Sequence, residues 1–211
     1  MIGVVGGGQL AMLLIEAGKK RNVDVVVQTA AKTDPAAKKT NQVILSDPTN
    51  PLGTKLLSEK SRFITFENEW VDIPSLISLQ NNGFSFIPSL LSIRPLINKI
   101  SQRELLKSLD IPSPDWLPVP LKKSQEIDLP SHWEFPLMAK AAKGGYDGKG
   151  TKIIKNSKQL LEFIQVQTKE QWMLEKWVSF DKELSIVSSR DSKGIVRSLP
   201  IVETYQSNQV C

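Results

Sequence analysis

Ile2-Gly3-Val4-Val5-Gly6-Gly7-Gly8-Gln9-Leu10-Ala11 is the stretch that decides the fold of the first half. Ile2-Gly3-Val4-Val5 is short and apolar and reads as a buried strand. A helical pattern then runs over 9–20, with Leu10, Leu13, Leu14 and Ala17 on one face. Three glycines stand between them. Glycine lets a backbone approach an anion closely, and the unpaired amides at a helix start attract negative charge. The spacing also satisfies the G-x-G-x-x-A pattern of dinucleotide-binding turns. A nicotinamide enzyme would place an acidic residue at the end of the second strand, to hold the ribose. This chain has Val26-Val27-Gln28-Thr29 there, which argues against NAD. A tight strand-to-helix turn with no ligand is the plain alternative.

Outward from this turn, apolar runs over 23–28, 42–45, 63–66 and 84–87 read as strands. Helical patterns over 9–20, from Pro51 and over 74–80 alternate with them. That alternation predicts a parallel α/β sheet, with ligands at the carboxyl ends of its strands. A further helix over 99–109 runs into Ile111-Pro112-Ser113-Pro114 and then Pro118 and Pro120, a stiff connector. The change of unit is placed here, giving an N-terminal unit over 1–95 and a second over 96–211. The second reads as β-rich, with strands over 137–140, 152–154, 172–176, 184–189 and 195–202 and one helix over 158–167. No helix follows the last strands, so one sheet face is expected to lack a cover and the chain to stop before this unit is complete.

Composition narrows the function classes. The 211 residues are 40% hydrophobic and 23% charged, enough apolar material for a sizeable core. No apolar run reaches the roughly 18 residues of a membrane span, and the N-terminus lacks the pattern of a signal peptide. Cys211 and His132 are single, so an internal disulfide and a His/Cys metal framework are excluded. The net charge of +5 is scattered in pairs such as Lys19-Lys20, so neither a nucleic-acid surface nor a membrane surface is expected. The expected compartment is the cytosol.

Two more stretches carry chemistry. Lys143-Gly144-Gly145-Tyr146-Asp147-Gly148-Lys149-Gly150 lies between two predicted strands. Its glycines suit a flap whose amides fold over phosphates, and Lys140 on the preceding strand suits a phosphate charge. The G-x-x-x-x-G-K-[ST] loop is absent. Trp172-Met173-Leu174-Glu175-Lys176-Trp177-Val178 is an apolar strand ending in a polar pair, followed by Glu183. Such a strand can read an adenine edge through its backbone, although an ordinary strand reads the same way.

Taken together and in order, Gly6–Leu10 (GGGQL), Thr65-Phe66-Glu67, Gly144–Gly150 (GGYDGKG), Glu175–Val178 (EKWV) and Glu183-Leu184-Ser185 resemble the ATP-grasp enzymes. Within them the likeness is to the ribonucleotide synthase family that carboxylates 5-aminoimidazole ribonucleotide in purine biosynthesis. The resemblance runs along all 211 residues and matches the N-terminal part of a family member. It implies a Rossmann-like pre-ATP-grasp domain followed by an incomplete α+β ATP-grasp domain. It also implies ATP and magnesium as cofactors, 5-aminoimidazole ribonucleotide and bicarbonate as substrates, and a homodimer for the full-length enzyme. By this likeness Lys99 and Lys140 contact ATP phosphates, and Gly145, Tyr146, Asp147, Gly148, Lys149, Gly150 and Thr151 form the flap. Glu175, Lys176, Trp177 and Val178 frame the adenine, and Glu183 the ribose. Gly8, Gln9, Leu10 and Glu67 hold the ribonucleotide, with the glycine turn near its phosphate. Tyr146 faces both substrates, and Asp147 is the candidate catalytic base.

The chain departs from the family pattern in places. Lys149 stands where many relatives have arginine, and Gln206, a further ATP contact, where many have histidine. The family's metal-binding carboxylates are expected beyond residue 211, so no metal ligand is assigned here and little activity is expected of this chain alone. Two rivals stay open: a non-catalytic nucleotide- or ribotide-binding module, and a related ATP-grasp ribonucleotide ligase.

Overall fold

The computed structural model describes residues 1–120, 127–145, 150–166 and 171–205. Its backbone contacts divide the chain into two units, Met1–Leu105 and Leu106–Cys211.

In the first unit, β1 (Ile2–Val5), β2 (Val25–Thr29), β3 (Val43–Leu45) and β4 (Phe63–Phe66) form a parallel sheet in the order β3-β2-β1-β4. Around it run α1 (Gln9–Lys19), α2 (Pro51–Glu59), α3 (Ile73–Asn81) and the short α4 (Leu90–Ile93), followed by α5 (Lys99–Ser108). Side chains alternate between the two faces of a strand. Val5 and Val26 therefore pack with Ile44, Leu57, Ile64 and Leu76, while Val4, Val25 and Val27 pack with Ala11, Ile15 and Ala36. Burying a side chain such as Leu57 contributes about 2 kcal/mol. The parallel register aligns Val5 with both Gln28 and Phe66, which brings the residues after β1 and β4 together at one edge.

Two expectations fail in this unit. The buried stripe of α1 is Ala11, Ile15 and Gly18, while Leu10, Leu13 and Leu14 are exposed. Small residues let this helix lie close on the sheet: a Cβ at Gly18 would sit 2.6 Å from Val23 O. The leucine stripe is the more hydrophobic but too bulky for that approach. Residues 84–87 make only a bridge, Ile64 to Phe86. Gly83 turns the chain in just before, and Pro88 has no N–H to continue the ladder.

In the second unit, β5 (Trp116–Pro118), β6 (Leu137–Ala141), β7 (Thr151–Ile154) and β8 (Trp172–Lys176) form an antiparallel sheet in the order β5-β8-β6-β7. The helix α6 (Ser157–Val166) packs Leu160, Phe163 and Ile164 against Leu137, Ala139, Ile154 and Leu174. The sequence pattern did not suggest β5 amid its prolines; an edge strand tolerates them.

The stretches read as strands over 184–189 and 195–202 form one ribbon in two parts. β9 (Glu183–Ser185) pairs with β12 (Val202–Thr204), and β10 (Ser188–Arg190) with β11 (Val196–Ser198). Ser185 faces Val202 while Ser188 faces Ser198, so the second arm carries one extra residue between the two parts. That is a bulge containing Pro200, which cannot donate to the ladder. Leu184, Val187 and Leu199 on this ribbon are exposed.

Candidate functional site

The first cluster stands at the carboxyl edge of the parallel sheet. Glu67 follows β4, and its N–H donates to Val5 O at 2.9 Å, so the β1–β4 pairing delivers its side chain to the glycine turn. Glu67 Oε2 accepts from Gly8 N at 2.7 Å, and Oε1 accepts from Leu10 N at 3.1 Å and Ala11 N at 3.4 Å. These are orphan amides of the first turn of α1, whose N-cap, Gly8, has no side chain to serve them. A carboxylate placed there also meets the positive end of the helix dipole.

The turn is fitted around its neighbours. Gly6 has φ +122°, and a Cβ there would lie 2.5 Å from Glu67 Cβ. A Cβ on Gly7 would overlap the Thr29 side chain, and one on Gly8 the Glu67 carboxylate. Thr29 in turn donates from its hydroxyl to Asp34. Gln9 and Leu10 are exposed beside the turn.

Gln28 shows what stands in place of a nicotinamide enzyme's acid. It is fully buried; its Nε2 donates to Asp47 O at 2.7 Å and Asn50 O at 3.1 Å, and its Oε1 accepts from Thr54 Oγ1 at 2.8 Å. The amide is turned inward, tying the loop before α2 to the sheet, and is not presented to a ribose.

The second cluster lies on the face of the antiparallel sheet opposite α6. Lys140 pairs in register with Met173 on β8 and Thr151 on β7, and Glu175 is the diagonal neighbour on the same face. Lys140 Nζ and Glu175 Oε2 form an ion pair, with side-chain exposures of 26% and 3%. A carboxylate so deeply buried needs a cation or donors beside it. The Lys140 side chain keeps about a quarter of its surface exposed.

Thr151 opens β7, and Ala141 N donates to Gly150 O at 2.8 Å. A Cβ on Gly150 would lie 3.0 Å from Gly145 Cα, so the described ends of the glycine-rich segment meet next to Lys140. Lys176 ends β8 and exposed Trp177 and Val178 follow it. Glu183 on β9 accepts from Thr204 Oγ1 at 2.8 Å. Lys99 opens α5 and belongs to the first unit. Tyr146, Asp147, Gly148, Lys149 and Gln206 lie outside the described residues. His132 is exposed, 3.4 Å from Asp115.

Sequence reasoning brought Glu67 and the glycine turn to one site but missed that they bond each other. It also missed the Lys140–Glu175 pair and the Gln28 network. Cross-strand partners follow only from register. The one available hint was Gln28 itself, a lone amide inside an otherwise apolar strand.

The ribonucleotide synthetase preATP-grasp domain matches residues 1–94, and the ATP-grasp domain matches residues 104–211. The chain belongs to the ATP-grasp family. Among curated ATP-grasp relatives, it is 38% identical over 210 residues to the N5-carboxyaminoimidazole ribonucleotide synthase of Synechocystis, covering 100% of this chain and 52% of that one. A solved structure of carboxyaminoimidazole ribonucleotide synthase from Aspergillus clavatus complexed with ATP is 26% identical, with a TM-score of 0.90, covering 100% of this chain and 55% of that one. A second structure of N5-carboxyaminoimidazole synthase from that organism, with ADP and 5-aminoimidazole ribonucleotide, has a TM-score of 0.83 at 26% identity, with the same coverage of 100% and 55%. The chain spans about half the length of the curated relatives it matches. Among the described residues no helix is long and apolar enough to cross a membrane. Among them, too, no group of three or more His, Cys, Asp or Glu is placed to hold a metal ion.

Proposed function

We propose that the chain provides the ribonucleotide-binding and ATP-binding parts of an enzyme that carboxylates 5-aminoimidazole ribonucleotide with bicarbonate, in the cytosol, for purine biosynthesis. Bicarbonate attacks the γ-phosphorus of ATP, the bond to the β–γ bridging oxygen breaks, and ADP leaves. The exocyclic amine then attacks the carbonyl carbon of carboxyphosphate, inorganic phosphate leaves, and the nitrogen loses a proton. The product is 5-(carboxyamino)imidazole ribonucleotide. Such chemistry depends on positioned groups and neutralised phosphate charge more than on covalent catalysis by the protein.

The observation that carries this reading is the Lys140–Glu175 pair beside a glycine-rich segment, inside the stretch matched by the ATP-grasp domain. In this reading Lys140 and Lys99 offset phosphate charge and the segment 145–151 covers the nucleotide against water. Lys176, Trp177 and Val178 border the adenine, Glu183 the ribose, and Asp147 orients or deprotonates the amine. Gln9, Leu10 and Glu67 hold the ribonucleotide; about one of the carboxylate's roughly four acceptor positions is left for a donor. Magnesium would accompany ATP, but the described residues offer it no group of three or more His, Cys, Asp or Glu.

Calorimetric titration of the 211-residue chain with ATP, and separately with 5-aminoimidazole ribonucleotide, tests the proposal. Saturable binding of both is expected. Binding of neither, or binding of NADH in their place, overturns it.

A further inference from the structure

The glycine turn after β1 has the features that receive a phosphate in dinucleotide folds: three glycines, a helix start and inward amides. In this chain those amides already have an anion. Glu67 takes Gly8 N at 2.7 Å, Leu10 N at 3.1 Å and Ala11 N at 3.4 Å. The fit is close on both sides, since a Cβ at Gly6 would come within 2.5 Å of Glu67 Oε2 and one at Gly8 would overlap Oε1. At the neighbouring strand end, Gln28 is buried and bonded to Asp47 O, Asn50 O and Thr54 Oγ1. Thus both positions at which a dinucleotide fold reads its ligand, phosphate turn and ribose acceptor, are filled by the chain's own side chains.

We infer that this turn is a seat for Glu67 and not a phosphate site, and that Glu67 is a specificity-determining residue that keeps phosphate off these amides. Its charge repels a phosphate, and its oxygens occupy the donors a phosphate would need. The reading that the first unit holds a ribonucleotide is deepened accordingly: the ribonucleotide's phosphate is bound away from the glycine turn.

The test uses inorganic phosphate alone as probe, so it stands apart from the proposed function. Amide resonances of Gly8, Leu10 and Ala11 are followed in 1H–15N spectra during phosphate titration of the wild-type chain and of Glu67→Ala. The wild type is expected to give no saturable shift at these amides. Glu67→Ala vacates the seat and is expected to give saturable phosphate shifts at these amides, because a like charge at contact distance is removed. Glu67→Gln keeps the side-chain length and serves if Glu67→Ala does not fold; it too is expected to gain phosphate-dependent shifts at these amides. Saturable phosphate shifts at these amides in the wild type, or no gain in a folded Glu67 variant, would overturn the inference. Failure of the chain to bind 5-aminoimidazole ribonucleotide would sink the proposed function and leave this result standing.

Discussion

The two glycine-rich turns of this chain look alike in sequence and differ in what surrounds them. In the first, every glycine is pressed against a neighbour: Gly6 and Gly8 against Glu67, and Gly7 against Thr29. In the second, a Cβ on Gly144 would meet nothing within 4 Å, and the close approach is between Gly150 and Gly145 of the segment itself. The first turn is a packed socket around a fixed carboxylate. The described ends of the second meet beside Lys140, whose side chain is 26% exposed. Glycine thus serves close packing throughout the first turn, while Gly144 of the second stands in open space.

Substitutions that treat the two turns alike separate them. The largest effect is expected from Gly7→Val, whose side chain would collide with Thr29; chemical denaturation should show a loss of about 3 kcal/mol or more. Next comes Lys140→Met, which leaves the buried Glu175 carboxylate without this cation. Because Lys140 is partly exposed, the loss is expected to be about 2 kcal/mol, together with loss of ATP binding. Glu67→Gln weakens the cap of α1 and should lower the melting free energy by about 1 kcal/mol. Gly144→Ala meets no atoms and carries only the strain of φ +73°, offset in part by a less flexible unfolded chain; about 1 kcal/mol or less is expected. If Gly144→Ala costs as much as Gly7→Val, the contrast between the turns is wrong.

The smallest effect concerns Asp47, at the loop that Gln28 ties down. Hydrogen bonds from the Thr49 hydroxyl and then the Thr49 N–H hold its carboxyl below the usual range. A lowered folded pKa stabilises the protein above the unfolded value near 4, and the gain is lost as pH falls through the lowered one. Thr49→Ala should move the Asp47 carboxyl resonance titration upward, with a small loss of stability at neutral pH that shrinks as the pH falls through the lowered pKa.

Much of this was legible in the sequence because hydrophobic period reports burial. The strands at Ile2–Val5 and Phe63–Phe66 stand where their apolar runs predicted. The period did not say which apolar stripe of α1 faces inward, because Ala11 and Gly18 win by being small. It did not expose the bulge that divides the last ribbon, because a one-residue offset appears only when both arms are paired. The residues of the site were legible by type: Glu67 beside a glycine turn, Lys140 before a glycine-rich segment. Their bonds were not, since Glu67 and Gly8 are 59 positions apart and meet only through the parallel pairing of β1 and β4.

The central proposal is that Lys140 serves ATP and Glu67 serves the ribonucleotide. The direct measurement is a crossed calorimetric titration of Lys140→Met and Glu67→Gln with each ligand. The account predicts that Lys140→Met loses ATP and keeps the ribonucleotide, while Glu67→Gln loses the ribonucleotide and keeps ATP. Undiminished ATP binding by a folded Lys140→Met chain, or loss of ATP in Glu67→Gln, would contradict it.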